Sequence, residues 1–232
     1  MPPILSPTSF PLSDSEFQPQ SRLAFWAVCD SKSRFGDQRW EPLERVDDLG
    51  NFGPELSFGA HLPKSLGDAE GIAIVKFTHS GAQGPDWFPQ GSPAARRNLY
   101  PKFIAFISKA MEDLTRQGYD VTLEGVFWHT GENDTYYEPY FRNYAAWMHT
   151  LIAQVRLNLK QPALPWFISE QHPGAIWMNM DAINTALRTM AQSDKGVLVI
   201  KTSHLPHDHL FFGTKGTLLL GDELSKAYLK RR

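Results

Sequence analysis

Short apolar runs alternate along this chain with longer stretches in which apolar residues recur every three or four positions. The short runs lie at residues 22–28, 71–77, 122–128, 165–170 and 196–202, and most resemble strands that are covered on both faces. The longer stretches have the helical period; three begin at Tyr100, Tyr140 and Ile183, and a fourth covers residues 216–229. Strands that alternate with helices predict βαβ units, and therefore an α/β fold with a mainly parallel sheet.

We expect one domain over residues 21–232, preceded by an irregular segment over residues 1–20 that is rich in proline and serine. The charges nearly balance, with 23 Lys and Arg against 25 Asp and Glu, so nucleic acid is not expected as a partner. No stretch approaches the roughly 20 apolar residues that cross a bilayer. With no secretory signal pattern either, we expect a soluble protein without a membrane partner, and the sequence does not determine its compartment.

Cys29 is the only cysteine, so a disulfide framework is excluded, and an inert buried thiol is the favoured interpretation.

Ligands of parallel sheets bind beyond the carboxyl ends of the strands. In this chain that rule points to the loops at residues 78–87, 129–137, 171–176 and 203–213. In the first of them, Gly81 would let backbone N–H groups approach a substrate closely, as an oxyanion hole requires. A tight turn between strand and helix is the alternative interpretation of the same glycine.

The loop at 129–137 contains the polar residues His129, Glu132, Asn133 and Asp134 beside two tyrosines. Such a density of polar groups is costly to bury unless the groups are paired or functional. A histidine such as His129 is, on its own, more often structural, whereas the whole cluster favours a site. The spacing of His129 and Glu132 is one that zinc ligands use, but no second histidine pair accompanies it, so no metal is expected.

The loop at 203–213 contains three histidines and Asp208 just before the last helical stretch. A histidine and an aspartate there would supply a general base and the carboxylate that orients it. A metal site and a solvated histidine-rich loop are the two alternatives.

Five sequence blocks, in order, resemble the sialate O-acetylesterase and acetylxylan-esterase-like carbohydrate esterases of the SGNH hydrolase superfamily. The blocks are RWEPL with FGPELSFG (39–43 and 52–59), HSGAQGPDW (79–87), GVFWHTGEND (125–134), LIAQVRLNL with ALPWFIS (151–159 and 163–169), and DHLFFGTKGTLLLG (208–221). The resemblance implies a flavodoxin-like three-layer α/β/α sandwich. It also implies cofactor-free hydrolysis of O-acetyl esters on a carbohydrate, through an acyl group carried by a serine.

The resemblance assigns roles to individual residues. Asp208 matches the family's aspartate, and the family's histidine position falls on Phe211, so His209 is the nearest replacement for the general base. Gly81, Thr130 and Asn133 fall in the blocks that form the oxyanion hole, where Thr130 stands in place of a glutamine. Glu132 and His129 fall in the same block and are expected to contact the substrate.

The family's GQSN block, which contains the nucleophile, is absent from the chain. Its nearest counterpart is ILSPTSF, which makes Ser9 the candidate nucleophile; Ser31 lies too close to Trp40. The simplest expectation is that all or part of the family's first strand is missing. Three hypotheses follow: an esterase that uses Ser9, His209 and Asp208, an inactive relative that binds acetylated glycans or a partner protein, and an N-terminally incomplete esterase. The sugar and the oligomeric state stay open.

Overall fold

A computed structural model describes residues 20–28, 40–43, 52–66, 71–94, 97–176 and 178–232 of the chain. The described chain divides into two compact units, one of Met1–Thr78 with His204–Arg232 and the other of His79–Ser203. Ser9, Cys29, Ser31 and nearly all of the predicted irregular segment lie outside the described residues. The single domain predicted over residues 21–232 stays a prediction.

The first unit contains a sheet with the strand order β2-β1-β3, formed by β1 (Gln20–Val28), β2 (Glu41–Leu43) and β3 (Ile72–Phe77). β3 runs parallel to β1, and β2 runs antiparallel to it. Helices α1 (Glu55–Leu66) and α5 (Thr214–Arg231) pack against each other in the same unit. The core of this unit is a cluster of apolar side chains from both strands and helices: Phe25, Ala27, Leu43, Leu56 and Leu218.

A glycine allows the close approach of α1 and α5. A β-carbon at Gly221 would overlap the Pro54 carbonyl oxygen and the Ser57 hydroxyl group of the facing segment. The two helices are also joined by the Ser57 hydroxyl, which donates to the Leu218 carbonyl at 2.6 Å. A larger side chain at position 221 would therefore force the helices apart.

The second unit contains a fully parallel sheet with the strand order β4-β5-β6, formed by β4 (Val126–Trp128), β5 (Trp166–Ser169) and β6 (Val197–Ile200). The middle strand β5 is buried along its whole length. Helices α2 (Tyr100–Arg116), α3 (Glu138–Asn158) and α4 (Met180–Ser193) belong to this unit. α4 packs against both α3 and β6. A strand that is covered on both faces is expected to be apolar throughout, as Trp166, Phe167 and Ile168 are.

The α/β class with mainly parallel strands that the sequence predicts is confirmed. One boundary is wrong: the strand predicted at 122–128 begins only at Val126, because its partner β5 begins at Trp166 and pairing starts there. Two elements, α1 and β2, were not predicted. In the part of the chain that the structure describes, none of the helices is long and apolar enough to cross a bilayer.

Candidate active site

Two short 3-10 helices of the second unit lie against each other. We name them the Gly84 turn (Gly84–Trp87) and the Asn133 turn (Asn133–Tyr136). The Gly84 backbone N–H donates to Oδ1 of Asp134 at 2.8 Å, and Nδ2 of Asn133 donates to the Ala82 carbonyl oxygen at 3.4 Å. Two of the loops that the sequence marks as ligand-binding thus meet, and Gly81 and Asn133 belong to one cluster.

Gly81 is exposed at the edge of this cluster. Its φ is +65°, a conformation that favours glycine, and no atom lies within 4 Å of the position that a β-carbon would occupy. The guanidinium group of Arg97 donates to the Gly81 carbonyl oxygen and also pairs with Oδ2 of Asp86 at 2.7 Å. Asp86, which is buried, accepts a further hydrogen bond from the backbone N–H of Gln83 at 2.8 Å. The backbone around Gly81 is therefore held at several points.

Asp134 lies at the contact between the two turns and is fully buried. Burial raises its pKa from 3.8 to about 7, and the hydrogen bond from Gly84 opposes that rise. Among the described residues, Oδ2 of Asp134 has no hydrogen-bond partner. The cavity that Asp134 lines encloses about 10 Å³, close to the smallest volume that admits one water molecule. A buried carboxyl group in this state binds a proton more readily than an ordinary aspartate does.

The Thr130 carbonyl oxygen fixes the start of the same loop. It accepts hydrogen bonds from the Tyr144 hydroxyl at 2.9 Å and from Nε2 of Gln171 at 3.0 Å. Gln171 is held in turn by Asn184, which bonds to both the N–H and the carbonyl of its backbone. Gly131 follows at φ +130°, where a β-carbon would press on the Tyr144 hydroxyl and on Nε2 of Gln171. The path of the loop thus depends on a glycine at position 131.

His129 lies between two polar partners at the carboxyl end of β4. Its Nδ1 is 2.6 Å from the Ser169 hydroxyl oxygen, and its Nε2 is 3.5 Å from Oε1 of Glu132. Ser169 is buried, whereas the His129 side chain is 31% exposed. An imidazole that is oriented by a buried hydroxyl and faces a carboxylate is well placed to exchange a proton with a ligand. Ser169 is itself almost fully buried, and its contact with Nδ1 holds the ring in this orientation.

The remaining candidates belong to the first unit. Asp208 and Phe211 form an isolated antiparallel bridge, with Asp208 N–H to Phe211 carbonyl at 2.9 Å and Phe211 N–H to Asp208 carbonyl at 3.2 Å. His209 lies in the turn between them at φ +46°, which is uncommon for a residue other than glycine. Phe211 is 60% exposed. The aspartate and its neighbouring histidine therefore sit in one tight turn ahead of α5.

Neighbouring histidines of this loop have structural contacts. Nε2 of His204 lies 3.8 Å from Oε1 of Glu223 on α5, and the His207 ring packs edge-on against Phe212 at 5.1 Å between centroids. Within the described ranges, no group of three His, Cys, Asp or Glu side chains could hold a metal ion.

Sequence reasoning missed several residues of the cluster. Ser169 and Gln171 carry no local signal, because they become partners of the loop at 129–137 only when β5 pairs with β4. Asp86 and Arg97 form an ion pair that the sequence does not indicate, because the chain must fold back after the Gly84 turn to bring the two side chains together. The loop at 171–176, which the sequence marks by its position after a strand, contributes Gln171.

Comparison with known proteins places the chain in a family. Residues 16–230 match the model of the carbohydrate esterase family described as sialic acid-specific acetylesterase. The chain belongs to this family and is a carbohydrate acetylesterase-like protein. No sequence among the curated proteins is close enough to count as a relative.

Two solved structures share the fold. A protein of Arabidopsis thaliana, known from its X-ray structure, aligns with a TM-score of 0.74 and 21% identity over 95% of this chain and 85% of its own. A carbohydrate acetylesterase from Xanthomonas citri aligns with a TM-score of 0.67 and 16% identity over 92% of this chain. The chain spans 50% of that second protein. At these identities the likeness establishes the α/β fold alone.

Proposed function

We propose that this protein hydrolyses O-acetyl esters of carbohydrates, with the acetyl carbonyl bound between Gly81 and Asn133. The observation that carries the proposal is the contact of the Gly84 and Asn133 turns, which brings the Asn133 amide within 3.4 Å of the Ala82 carbonyl, directly after Gly81. Membership of a carbohydrate esterase family supports the class of substrate.

The Asn133 amide has two N–H groups, and the hydrogen bond to Ala82 uses one of them. The second N–H, together with the backbone N–H of Gly81, would donate to the carbonyl oxygen as negative charge develops on it. Donors that are fixed before the reaction stabilise such a charge strongly, and loss of one typically lowers kcat about 100- to 1,000-fold. The contacts that hold both loops, through Asp86, Asp134 and the Thr130 carbonyl, supply this fixation.

In the proposed reaction the hydroxyl oxygen of Ser9 attacks the acetyl carbon, and its proton passes to His209, which Asp208 orients. The sugar oxygen then leaves with that proton, and the acetyl group stays on Ser9. Water attacks the acyl group next, which releases acetate and restores the serine. His129 and Glu132, whose side chains are partly exposed, would contact the sugar hydroxyl groups beside the ester.

A second candidate function is binding of acetylated glycans without hydrolysis. Phe211 favours it, because phenylalanine stands where the family has its histidine and offers no atom that accepts a proton. The absence of a GQSN block favours it as well.

Acetate release from an acetylated xylooligosaccharide and from p-nitrophenyl acetate separates the two functions. Hydrolysis predicts that Ser9→Ala and His209→Ala abolish turnover, and that Asn133→Asp, which keeps the size but removes both amide donors, lowers kcat about 100-fold. His149→Ala, at an exposed position of α3, is the matched control and should retain full activity. Equal rates in all four variants and the unaltered protein would contradict hydrolysis. Retained binding of the acetylated sugar would then support the second candidate.

A further inference from the structure

Four aromatic side chains form a continuous row in the second unit. Tyr137 contacts Tyr140 with ring centroids 5.2 Å apart, Tyr140 contacts Trp147 at 5.3 Å, and Trp147 contacts Phe88 at 5.2 Å. We call these four residues the aromatic row. We propose that it binds a pyranose ring of the carbohydrate whose acetyl group the neighbouring loops receive, an inference that rests on the proposed function.

The aromatic row adjoins the candidate oxyanion loops directly. Trp147 lies so close to Gly84 that a β-carbon on that glycine would overlap its six-membered ring. At the other end, Tyr137 directly follows the Asn133 turn, and its backbone N–H donates to the Asp134 carbonyl at 3.4 Å. A ligand that lies along the row would therefore reach both of the turns that carry Gly81 and Asn133.

The row is exposed at one end and anchored at the other. Tyr137 is 53% exposed, whereas Trp147 and Phe88 are partly buried. Phe88 directly follows Trp87, which is buried and packs edge-on against Trp128 at 4.9 Å. Anchored rings lose little conformational freedom when a ligand binds, which favours binding.

The chemistry of the row fits a sugar better than a purely apolar ligand. The C–H groups on one face of a pyranose carry partial positive charge and are attracted to the negative face of an aromatic ring. The hydroxyl groups at the rim of the sugar need polar partners, and the Tyr140 hydroxyl and the His129 imidazole supply them. Centroid spacings of 5.2 and 5.3 Å mean that each ring of the row packs against the next, so the four rings form one continuous aromatic surface.

Three variants test the role of Tyr137. Tyr137→Ala removes the ring, Tyr137→Phe keeps the ring and removes the hydroxyl, and Tyr119→Ala is the matched control. Tyr119 is 59% exposed and precedes β4, whereas Tyr137 follows the carboxyl end of that strand. The measurements are the Kd for an O-acetylated methyl xyloside, from NMR titration, and kcat/KM for that xyloside and for ethyl acetate, which has no ring.

We expect Tyr137→Ala to weaken xyloside binding about tenfold and to lower kcat/KM for the xyloside similarly. Turnover of ethyl acetate should stay unchanged, and Tyr137→Phe and Tyr119→Ala should behave like the unaltered protein. An unchanged Kd in Tyr137→Ala overturns the inference, as does a loss in Tyr137→Phe equal to that in Tyr137→Ala. Loss of self-association in Tyr137→Ala with unchanged sugar binding also overturns it, because the row would then be an interface between copies.

Failure of the proposed function gives a different result. If the unaltered protein hydrolyses neither ester but Tyr137→Ala still weakens xyloside binding, the aromatic row is supported and hydrolysis is not. If both esters are hydrolysed and the Kd does not respond to Tyr137→Ala, hydrolysis is supported and the inference about the row is overturned.

Discussion

The backbone N–H of Gly84 donates to Oδ1 of Asp134 at 2.8 Å across 50 residues of chain. This hydrogen bond joins the Gly84 turn to the Asn133 turn, so the geometry between Gly81 and Asn133 depends on it. Oδ2 of the same carboxyl group is buried without a hydrogen-bond partner among the described residues. A neutral carboxylic acid tolerates such a position far better than a carboxylate does, which is why burial raises the pKa of Asp134 to about 7.

The stability of the protein should therefore depend on pH through Asp134. Between its unfolded pKa of 3.8 and its folded pKa of about 7, the folded protein holds a proton that the unfolded chain releases. Stability from this group is fully present below pH 4 and is lost as the pH rises to about 7, by at most roughly 4 kcal/mol. Asp134→Asn, which resembles the protonated acid, should remove this part of the pH dependence.

Urea unfolding of the Asp134→Asn variant and the unaltered protein at pH 5 and at pH 8 measures the effect. Other groups contribute equally to both proteins, so the difference between the two pH profiles isolates Asp134. Asp120→Asn, at an exposed position before β4, is the control and should leave the profile unchanged. Parallel profiles for Asp134→Asn and the unaltered protein would show that Asp134 is ionised in the folded state.

The alternation of apolar runs and helical stripes was sufficient to predict the strands β1 and β3 to β6, because each is short and consists mostly of apolar residues. Helix α1 was not predicted, because it contains Gly59 and Pro63, two residue types that disfavour a helix and interrupt its apolar repeat. β2 is only three residues long, and its antiparallel pairing with β1 carries no signal of its own. Elements with a strong repeat of their own were thus predictable, and elements that depend on a partner were not.

The candidate site follows the same rule. Gly81, His129, Thr130, Glu132 and Asn133 were found because they follow apolar runs and match family blocks. Among these residues, the contact of Asn133 with Ala82 and the hydrogen bond of His129 with Ser169 arise only when separate segments pack together. Burial of Asp134, which controls its pKa, is likewise a property of the packed turns. The catalytic roles of Asp208 and His209 stay predictions.

Replacement of Gly131 by alanine should destabilise the protein much more than replacement of a glycine where no atom lies close to the new β-carbon. Its φ of +130° is essentially restricted to glycine, and a β-carbon would press on the Tyr144 and Gln171 groups that hold the Thr130 carbonyl. Gly131→Ala should therefore cost about 3 kcal/mol or more. Gly118→Ala, at φ +93° with no atom within 4 Å of the new carbon, should cost about 1–2 kcal/mol. Thermal unfolding of both variants checks the order, and equal losses would contradict it.

Arg188 should stabilise the protein through its buried partner. Glu170 is 3% exposed and accepts two hydrogen bonds from the Arg188 guanidinium, at 2.7 and 3.0 Å. Arg188→Met leaves a buried carboxylate without this partner, at a cost of about 1–3 kcal/mol, reduced because half of the arginine is solvated. The double variant with Glu170→Gln should be less destabilised than the sum of the single variants. Additive losses in urea unfolding would mean that the pair contributes no net stability.

Lys160 should be replaceable by glycine with a gain in stability. It follows the last turn of α3 at φ +56°, with its N–H donating to the Leu157 carbonyl at 3.1 Å and the next N–H, of Gln161, donating to the Arg156 carbonyl at 2.8 Å. These two hydrogen bonds define a Schellman motif, in which glycine is preferred because a β-carbon is strained in the left-handed conformation. Lys160→Gly should stabilise the protein by about 1 kcal/mol, which corresponds to a rise in Tm of about 2–4 °C.

The control for Lys160→Gly is a second substitution that introduces a glycine into the middle of a helix. Ala105 is exposed in the middle of α2, where glycine loses more conformational freedom on folding than alanine does, so Ala105→Gly should destabilise by about 1 kcal/mol. The two glycine substitutions are thus expected to shift Tm in opposite directions, because one relieves strain in the folded state and the other only enlarges the unfolded ensemble. A fall in Tm for Lys160→Gly similar to that for Ala105→Gly would show that Lys160 is not strained at the end of α3.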